Sequence, residues 1–562
     1  MSKPKQLIDL YGDMHNHCNI SYAHGGLVDA LENALLRLDF VSITGHADWP
    51  DMDTNDPRIS HIVDFHQKGF AKLKRGWDAY LATMAAYADR ICTLPGYEIH
   101  SNEHGDYTIV GRDKELEITL SDSPGELRSV FEDRYGAGTG SPAPPVLLFP
   151  HHIGYRRGAR GVNWESFSPE FSPLVEIYSM HGLNDADDSD KEPLHSMGPR
   201  QSYGTMVHGL NAGNWFGVVG NSDHHSGHPG SYGHGMTGVW AADRERESIW
   251  QALFDRRTWA MTGDKVRLWF SLGGAELGGE ARLLSAAGRA EAPQPGSGAA
   301  AEAPFGWIAV DASAAIDYVE LVVNGRRSRL WWRPVAEPGE EAGVARGAEG
   351  ASPGRGGAVG GQPGNKAESP LPPALAIDTR ADEAIFALEL GWGERGKPAE
   401  WTVDVSVEGG EILEHFPRFR GPEVVSPLDK SGAEIPTHNS HIDSHSLDHL
   451  RFRTTTWGNI TNSTPSTQGY AFRVTHPEKA VVSVRMNDVT ERRTVAELLS
   501  GSISGNLGPI DTPAYRMSAI RPQSYRRLIP VMPSDIEAGY AYVRVRLKNG
   551  HWAISSPIRL VR

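Results

Sequence analysis

Six short apolar runs in the first 265 residues each lead into side chains able to bind divalent cations. That recurrence constrains the fold more than any other feature of the chain. IDLYGD, carrying Asp13, leads to His15 and His17, with His24 seven residues on. FVSIT leads to Gly45-His46-Ala47-Asp48, and ICTLPGY to Glu98, then His100 and His104. VLLFP runs into His151 and His152, and LVEIYSMHG carries Glu176 and His181. FGVVGNS runs into Asp223, His224 and His225, with His228 behind. Residues i and i+2 of a strand share a face, so His15 and His17 project together. A lone H-x-H is a weak signal. A random scatter of 24 histidines would not choose strand ends six times.

Between these runs lie stretches with helical spacing of apolar residues, at 27–38, about 60–90, and 246–257. Strands alternating with helices predict parallel βαβ units and an α/β architecture. In such folds the loops beyond the carboxyl ends of the strands converge on one face. At 562 residues the chain is too long for one core. A catalytic region over 1–265 is expected, followed by a β-rich region over 266–562. The latter is interrupted by Gly/Ala/Pro/Glu-rich excursions at 284–304 and 333–370, expected to be mobile, with 333–370 cleaved early by protease. YVELVVNG, WTVDVSVEGG and YAYVRVRLKNG read as hairpin strands before Asn-Gly or Gly-Gly turns, and the whole region reads as a sandwich.

Composition removes several function classes. A formal charge of −15 leaves no general basic surface for nucleic acid or an anionic membrane. Cys18 and Cys92 are the only cysteines, so neither a disulfide framework nor a thiolate zinc site is expected. Cys18 alternates away from His17 and reads as a core residue. MSKPKQLIDL has no apolar signal core and no later run is long enough to span a bilayer, so a cytoplasmic location is expected. Nothing in the sequence speaks to oligomeric state.

Imidazoles mixed with carboxylates suit Zn, Mn or Fe in the divalent state. Roughly nine or ten candidate ligands exceed what one ion needs, and they suit two or three ions sharing a bridging carboxylate, an arrangement that hydrolyses esters. His438, His441, His445 and His449 read instead as an incidental cluster in a loop rich in Ser, Asn and Asp.

GDMHNH, ITGHAD, PGYE, PHHIG and GNSDHH, in that order, resemble the motifs of the PHP (polymerase and histidinol phosphatase) superfamily over about residues 8–265. TGVWAADRERESIWQALFDRRTWAMTG and AYVRVRLKNGHWAISSPIRL resemble a bacterial branch that appends β-structure. The resemblance implies a distorted (βα)7 barrel and a metal-dependent hydrolase, most simply a phosphoesterase using a metal-bridging hydroxide as nucleophile. It implies a first metal site of His15, His17, Glu98 and Asp223, with Glu98 bridging. The second site would take Glu98, His151 or His152, and either His104 or His181. The third would take His24, His46 and His225. The family carries Asp ahead of the histidine of its second motif, where this chain has Gly45. A nearby histidine such as His181, or Asp48, would assist proton transfer. Arg156, Arg157 and Arg160, directly after PHHIGY, would hold the oxygens of a small anionic substrate. Hydrolysis of a carboxylic ester, lactone or amide is the alternative, and a non-catalytic metal-binding module is the third reading.

Overall fold

The computed structural model describes residues 7–136, 143–193, 199–283, 303–332, 382–394, 397–419, 440–457, 467–509, 511–522 and 525–562. The expected excursions at 284–304 and 333–370 lie outside these residues, apart from Ala303 and Pro304, as does His438. The chain is mixed α/β and strand-rich, with its strands in several sheets. Among the described residues no helix is long and apolar enough to cross a membrane.

The N-terminal strands pair in three hydrogen-bonded sheets. Ile8–Asp13 lies parallel to Phe40–Val41, which lies parallel to Cys92–Thr93. Both of those runs continue into a second sheet, where Thr44–Asp48 pairs parallel with Gly96–Ile99 and sets His46 opposite Glu98. In the third, Leu174–Ser179 pairs parallel with Gly217–Gly220. One buried cluster draws Leu10, Phe40, Leu94, Leu147, Leu174 and Val219 together from these elements. Each such apolar side chain contributes about 1.5–3 kcal/mol when fully buried. The helix Ser60–Ala86 is unbroken.

Parallel pairing is not universal. Tyr107–Gly111, a strand the apolar pattern does not predict, runs antiparallel to both Gly96–Ile99 and Val146–Pro150. The link from Ile99 to Tyr107 is too short for a parallel crossover, which needs a dozen residues or more, and permits only a reversal.

The C-terminal strands divide among several sheets, and Val266–Leu272, Gly306–Ala312 and Tyr525–Val531 share a four-stranded one. Gly539–Leu547, Trp552–Ser555 and Ile558–Val561 join the large sheet that contains Ile8–Asp13, through pairing of Trp552–Ser555 with Thr258–Met261. Two five-stranded sheets enclose a separate core built on Phe386, Trp401, Val403, Phe452, Phe472 and Val484. Asn324-Gly325 makes the expected hairpin, both residues having positive φ (50° and 79°), as a two-residue primed turn requires. The Gly-Gly after WTVDVSVE does not. Pro398–Glu408 and Ile412–Arg418 pass into opposite five-stranded sheets, because both are needed to cover the one core. From His441 on, the histidine-rich stretch is strand rather than loop. His441–His445 pairs antiparallel with His449–Trp457 as the edge strand of a sheet, and its Asp443, Ser444 and His445 are exposed.

Candidate metal centre

His15 and His17 follow the strand Ile8–Asp13 and do share a side, their rings 5.1 Å apart. Cys18 is fully buried and packs into the apolar core instead. Four atoms converge in front of the two imidazoles. Nε2 of His15 lies 3.3 Å from Glu98 Oε2 and 3.4 Å from Asp223 Oδ1. Nε2 of His17 lies 3.3 Å and 3.0 Å from the same two oxygens. Donors held at 2.0–2.1 Å around a tetrahedral ion stand about 3.4 Å apart. Nε2 of His17 and Oδ1 of Asp223 are buried and make no hydrogen bond of acceptable angle, despite their separation. They point to a common centre rather than at each other, so this donor set fits a divalent cation.

The two oxygens of Glu98 serve different neighbours. Oε2 faces His15 and His17, with Nε2 of His46 at 3.6 Å. Oε1 faces His100 at 2.5 Å and His151 at 3.1 Å. Asp223 is divided in the same way: Oδ1 faces His15 and His17, while Oδ2 lies 2.9 Å from His181 and 3.4 Å from His152. His17, His46 and His225 form a further group of donors within reach of one ion.

Outer partners fix the rings. His15 Nδ1 is 3.0 Å from Glu176, which also accepts from Asn221. His151 Nδ1 meets Thr108, and His46 Nδ1 meets Ser21. Such contacts orient a ligating histidine and leave its other nitrogen facing the ion. Asp13 is no ligand. Its carboxylate accepts from Ser222 and from the Gly230 amide, strutting the loop that carries Asp223.

Protonation suits a cation. Burial alone would raise Glu98, yet His151, His46 and His100 hold it well below the usual carboxylate range. Burial likewise opposes Asp223, which His15 and His181 hold low. Burial pushes His46 and His152 well down and His225 to about 3. Ionised carboxylates and neutral imidazoles are what metal ligation requires. His15 is the exception: against burial, Glu176 and Asp223 favour its cation, so an ion binding there displaces a proton.

The predicted site residues divide. His15, His17, His46, Glu98, His151, His152, His181, Asp223 and His225 come together. His24 and His104 fall outside the donor groups. His24 is buried, and His104 turns its Nδ1 to Ser166. Asp48 faces Lys74 at 3.8 Å. Of the three arginines, Arg156 is exposed and Arg157 pairs with Glu165 at the surface. Arg160 is buried, bonded to Asp106 at 2.7 Å, 3.2 Å from His100 and 3.9 Å from Glu98. Arg160, His152 and Asp223 all adopt left-handed backbone (φ 68°, 51° and 50°), strain concentrated at the site.

Three more residues contribute: His100 and Glu176, which stand among the cation-binding side chains of the apolar runs, and Asp106, which does not. His100 repeats, with Glu98, the i, i+2 spacing of His15 and His17, and that was its signal. Glu176 sits mid-strand among apolar residues, where a carboxylate needs a partner. Asp106 precedes the antiparallel strand that the apolar pattern hides, so nothing marked it.

No family model matches the chain. An uncharacterised Chlamydia pneumoniae protein is 30% identical over 130 residues, and one from Chlamydia trachomatis 29% over 131, each match covering 21% of this chain. The chain thus spans 21% of the length of these curated relatives. A two-domain Bacteroides vulgatus protein, described as containing a predicted PHP-like metal-dependent phosphoesterase, is 14% identical with a TM-score of 0.27. The match covers 57% of this chain and 81% of that one. A TM-score so low carries no weight for fold or activity.

Proposed function

We propose that this chain is a metal-dependent hydrolase, most simply a phosphoesterase acting on a small anionic substrate. The observation that carries the reading is the division of Glu98. One oxygen completes a four-donor set with His15, His17 and Asp223, while the other faces His100 and His151. A carboxylate placed in this way would hold two ions, and two is the count proposed, with Zn, Mn or Fe as candidates. Bound ions would supply Lewis acidity and a water activated at neutral pH.

The chain's own residues do the rest. Arg160 places a buried positive charge beside Glu98 and His100, where negative charge on a phosphoryl group would develop. His181, half-buried and 2.9 Å from Asp223, is placed to pass a proton at its Nε2. The engagement of Arg160 with Asp106 favours the second reading, hydrolysis of a carboxylic ester, lactone or amide, because it leaves less of the guanidinium free for a second oxygen. The resemblance also supports a barrel of the (βα)7 type, and the shared core of the N-terminal strands fits one. We place that catalytic region at 1–265 and the β-rich region at 266–562. Two unpaired cysteines fit a cytoplasmic location.

The test is a screen of metal-loaded protein against phosphomonoesters, phosphodiesters and carboxylic esters. Turnover of a phosphoester that chelation abolishes supports the proposal. Turnover of carboxylic esters alone moves the second reading ahead.

A further inference from the structure

The loop carrying Asp223 and His225 is gripped from two sides. Toward the N-terminal strands, the amide of Asp223 donates to His15 O (2.7 Å), that of His17 to His224 O (2.8 Å), and that of Gly227 to His17 O (3.1 Å). Toward the other side the partners are all C-terminal. His224 Nε2 is 2.8 Å from Phe419 O, and His228 Nε2 is 2.8 Å from Ser440 O. Ser231 Oγ donates to Phe419 O (3.0 Å), and the Tyr232 amide donates to Pro417 O (3.0 Å). Pro417 lies in the strand Ile412–Arg418 and Phe419 follows it, whereas Ser440 precedes a strand of the other five-stranded sheet. The loop is therefore fastened to both sheets of the C-terminal core.

His224 is oriented without ambiguity. Its Nδ1 accepts from the Ser226 amide at 3.1 Å, which leaves Nε2 as the N–H that donates to Phe419. His224 and His228 are 1% and 2% exposed, and neither belongs to a donor group. Asp223 and His225 turn toward the metal donors while His224, between them, turns away. The backbone at Asp223 is left-handed (φ 50°). A conformation of this kind costs on the order of 1–3 kcal/mol and persists only where the surroundings over-determine it.

We infer that the C-terminal β-region is a working part of the metal centre, holding the loop 221–232 through the positioning residues His224 and His228 so that Asp223 and His225 face the ions. This rests on the metal-centre reading above. The test uses full-length, metal-loaded protein in two series: His224→Leu, His228→Leu and the double variant, against His224→Gln and His228→Gln. The glutamine amide retains an N–H near the place of Nε2. One readout is the rate of metal transfer to a chelator, and the other is amide hydrogen exchange across residues 221–232.

The leucine double variant should release metal roughly tenfold faster or more, the scale for losing contacts that orient ligands. Its Asp223 and Gly227 amides should lose protection, and the glutamine variants should stay near wild type on both measures. Wild-type release and wild-type exchange in the leucine variants would overturn the inference. If they do not fold, Ser231→Ala, which removes one tether, takes their place with the same two outcomes. If the wild type holds no metal, the metal-centre reading fails separately. Exchange then decides the tether alone: protection lost only in the leucine variants supports it, and unchanged protection overturns it.

Discussion

Glu98→Gln is the substitution that discriminates most. It preserves the shape of a side chain that is 1% exposed and removes one negative charge from among His15, His17, His46, His100 and His151. Whichever way the amide turns, its NH2 replaces an acceptor on one of the two sides, and an amide oxygen is a weaker ligand than a carboxylate on the other. A four-ligand structural zinc site is worth about 10–16 kcal/mol, or ~2.5–4 kcal/mol per ligand. At 1.4 kcal/mol per decade that is a loss of roughly a hundredfold to a thousandfold in affinity. Because Glu98 faces two donor sets, both ions should weaken together. His181→Gln, beside Oδ2 of Asp223 and outside both sets that Glu98 faces, should leave both ions near wild type. The assay is metal content by elemental analysis after dialysis against a graded chelator series, with circular dichroism to verify the fold. Retention of the wild-type metal complement by Glu98→Gln across the series would refute the bridging role.

Other substitutions probe the remaining links. Arg160→Ala should lower phosphoester turnover roughly a hundredfold or more with metal content unchanged, the scale for losing one donor to transition-state charge. Arg156→Ala and Arg157→Ala, at the surface, should stay near wild type in the same kinetic assay. Arg544 is buried between Asp185 (2.9 Å) and Glu320 (3.2 Å), so Arg544→Met should cost about 3–5 kcal/mol by denaturant titration, because it strands two carboxylates. Burial, and then His445, pushes His415 down from 6.5 to about 4. Folding disfavours its proton, so its contribution is complete above pH 6.5 and is lost as pH falls toward 4. His415→Gln should flatten the stability profile across that window by on the order of 2–3 kcal/mol.

What the sequence displays of the site is what local geometry dictates. His15 and His17 are paired by strand periodicity alone, and Glu98 is marked by its place at the end of an apolar run. His24 is not, since its seven-residue separation from His17 implies no shared face, and the structure leaves it outside the donors. His100 has the same local signal as His17, yet it draws attention only beside Glu98. The hidden features are non-local. Tyr107–Gly111 is defined by the strands on either side of it, and Asp106 with it. The return of Trp552–Ser555 to the sheet of Ile8–Asp13 pairs residues nearly 300 positions from their partners in Thr258–Met261, which no periodicity can announce. Gly-Gly after Glu408 signals a turn truthfully, but not whether the next strand pairs with the last or crosses to the facing sheet.

The central claim is that divalent ions sit between named side chains, and anomalous diffraction from crystals of metal-supplemented protein tests it most directly. The account predicts one anomalous peak within bonding distance of His15 Nε2, His17 Nε2, Glu98 Oε2 and Asp223 Oδ1. A second should lie on the side of Glu98 Oε1, roughly 3.5–4 Å away, the spacing of hydrolytic metal pairs. Crystals from metal-supplemented growth with no peak at the first position would contradict it.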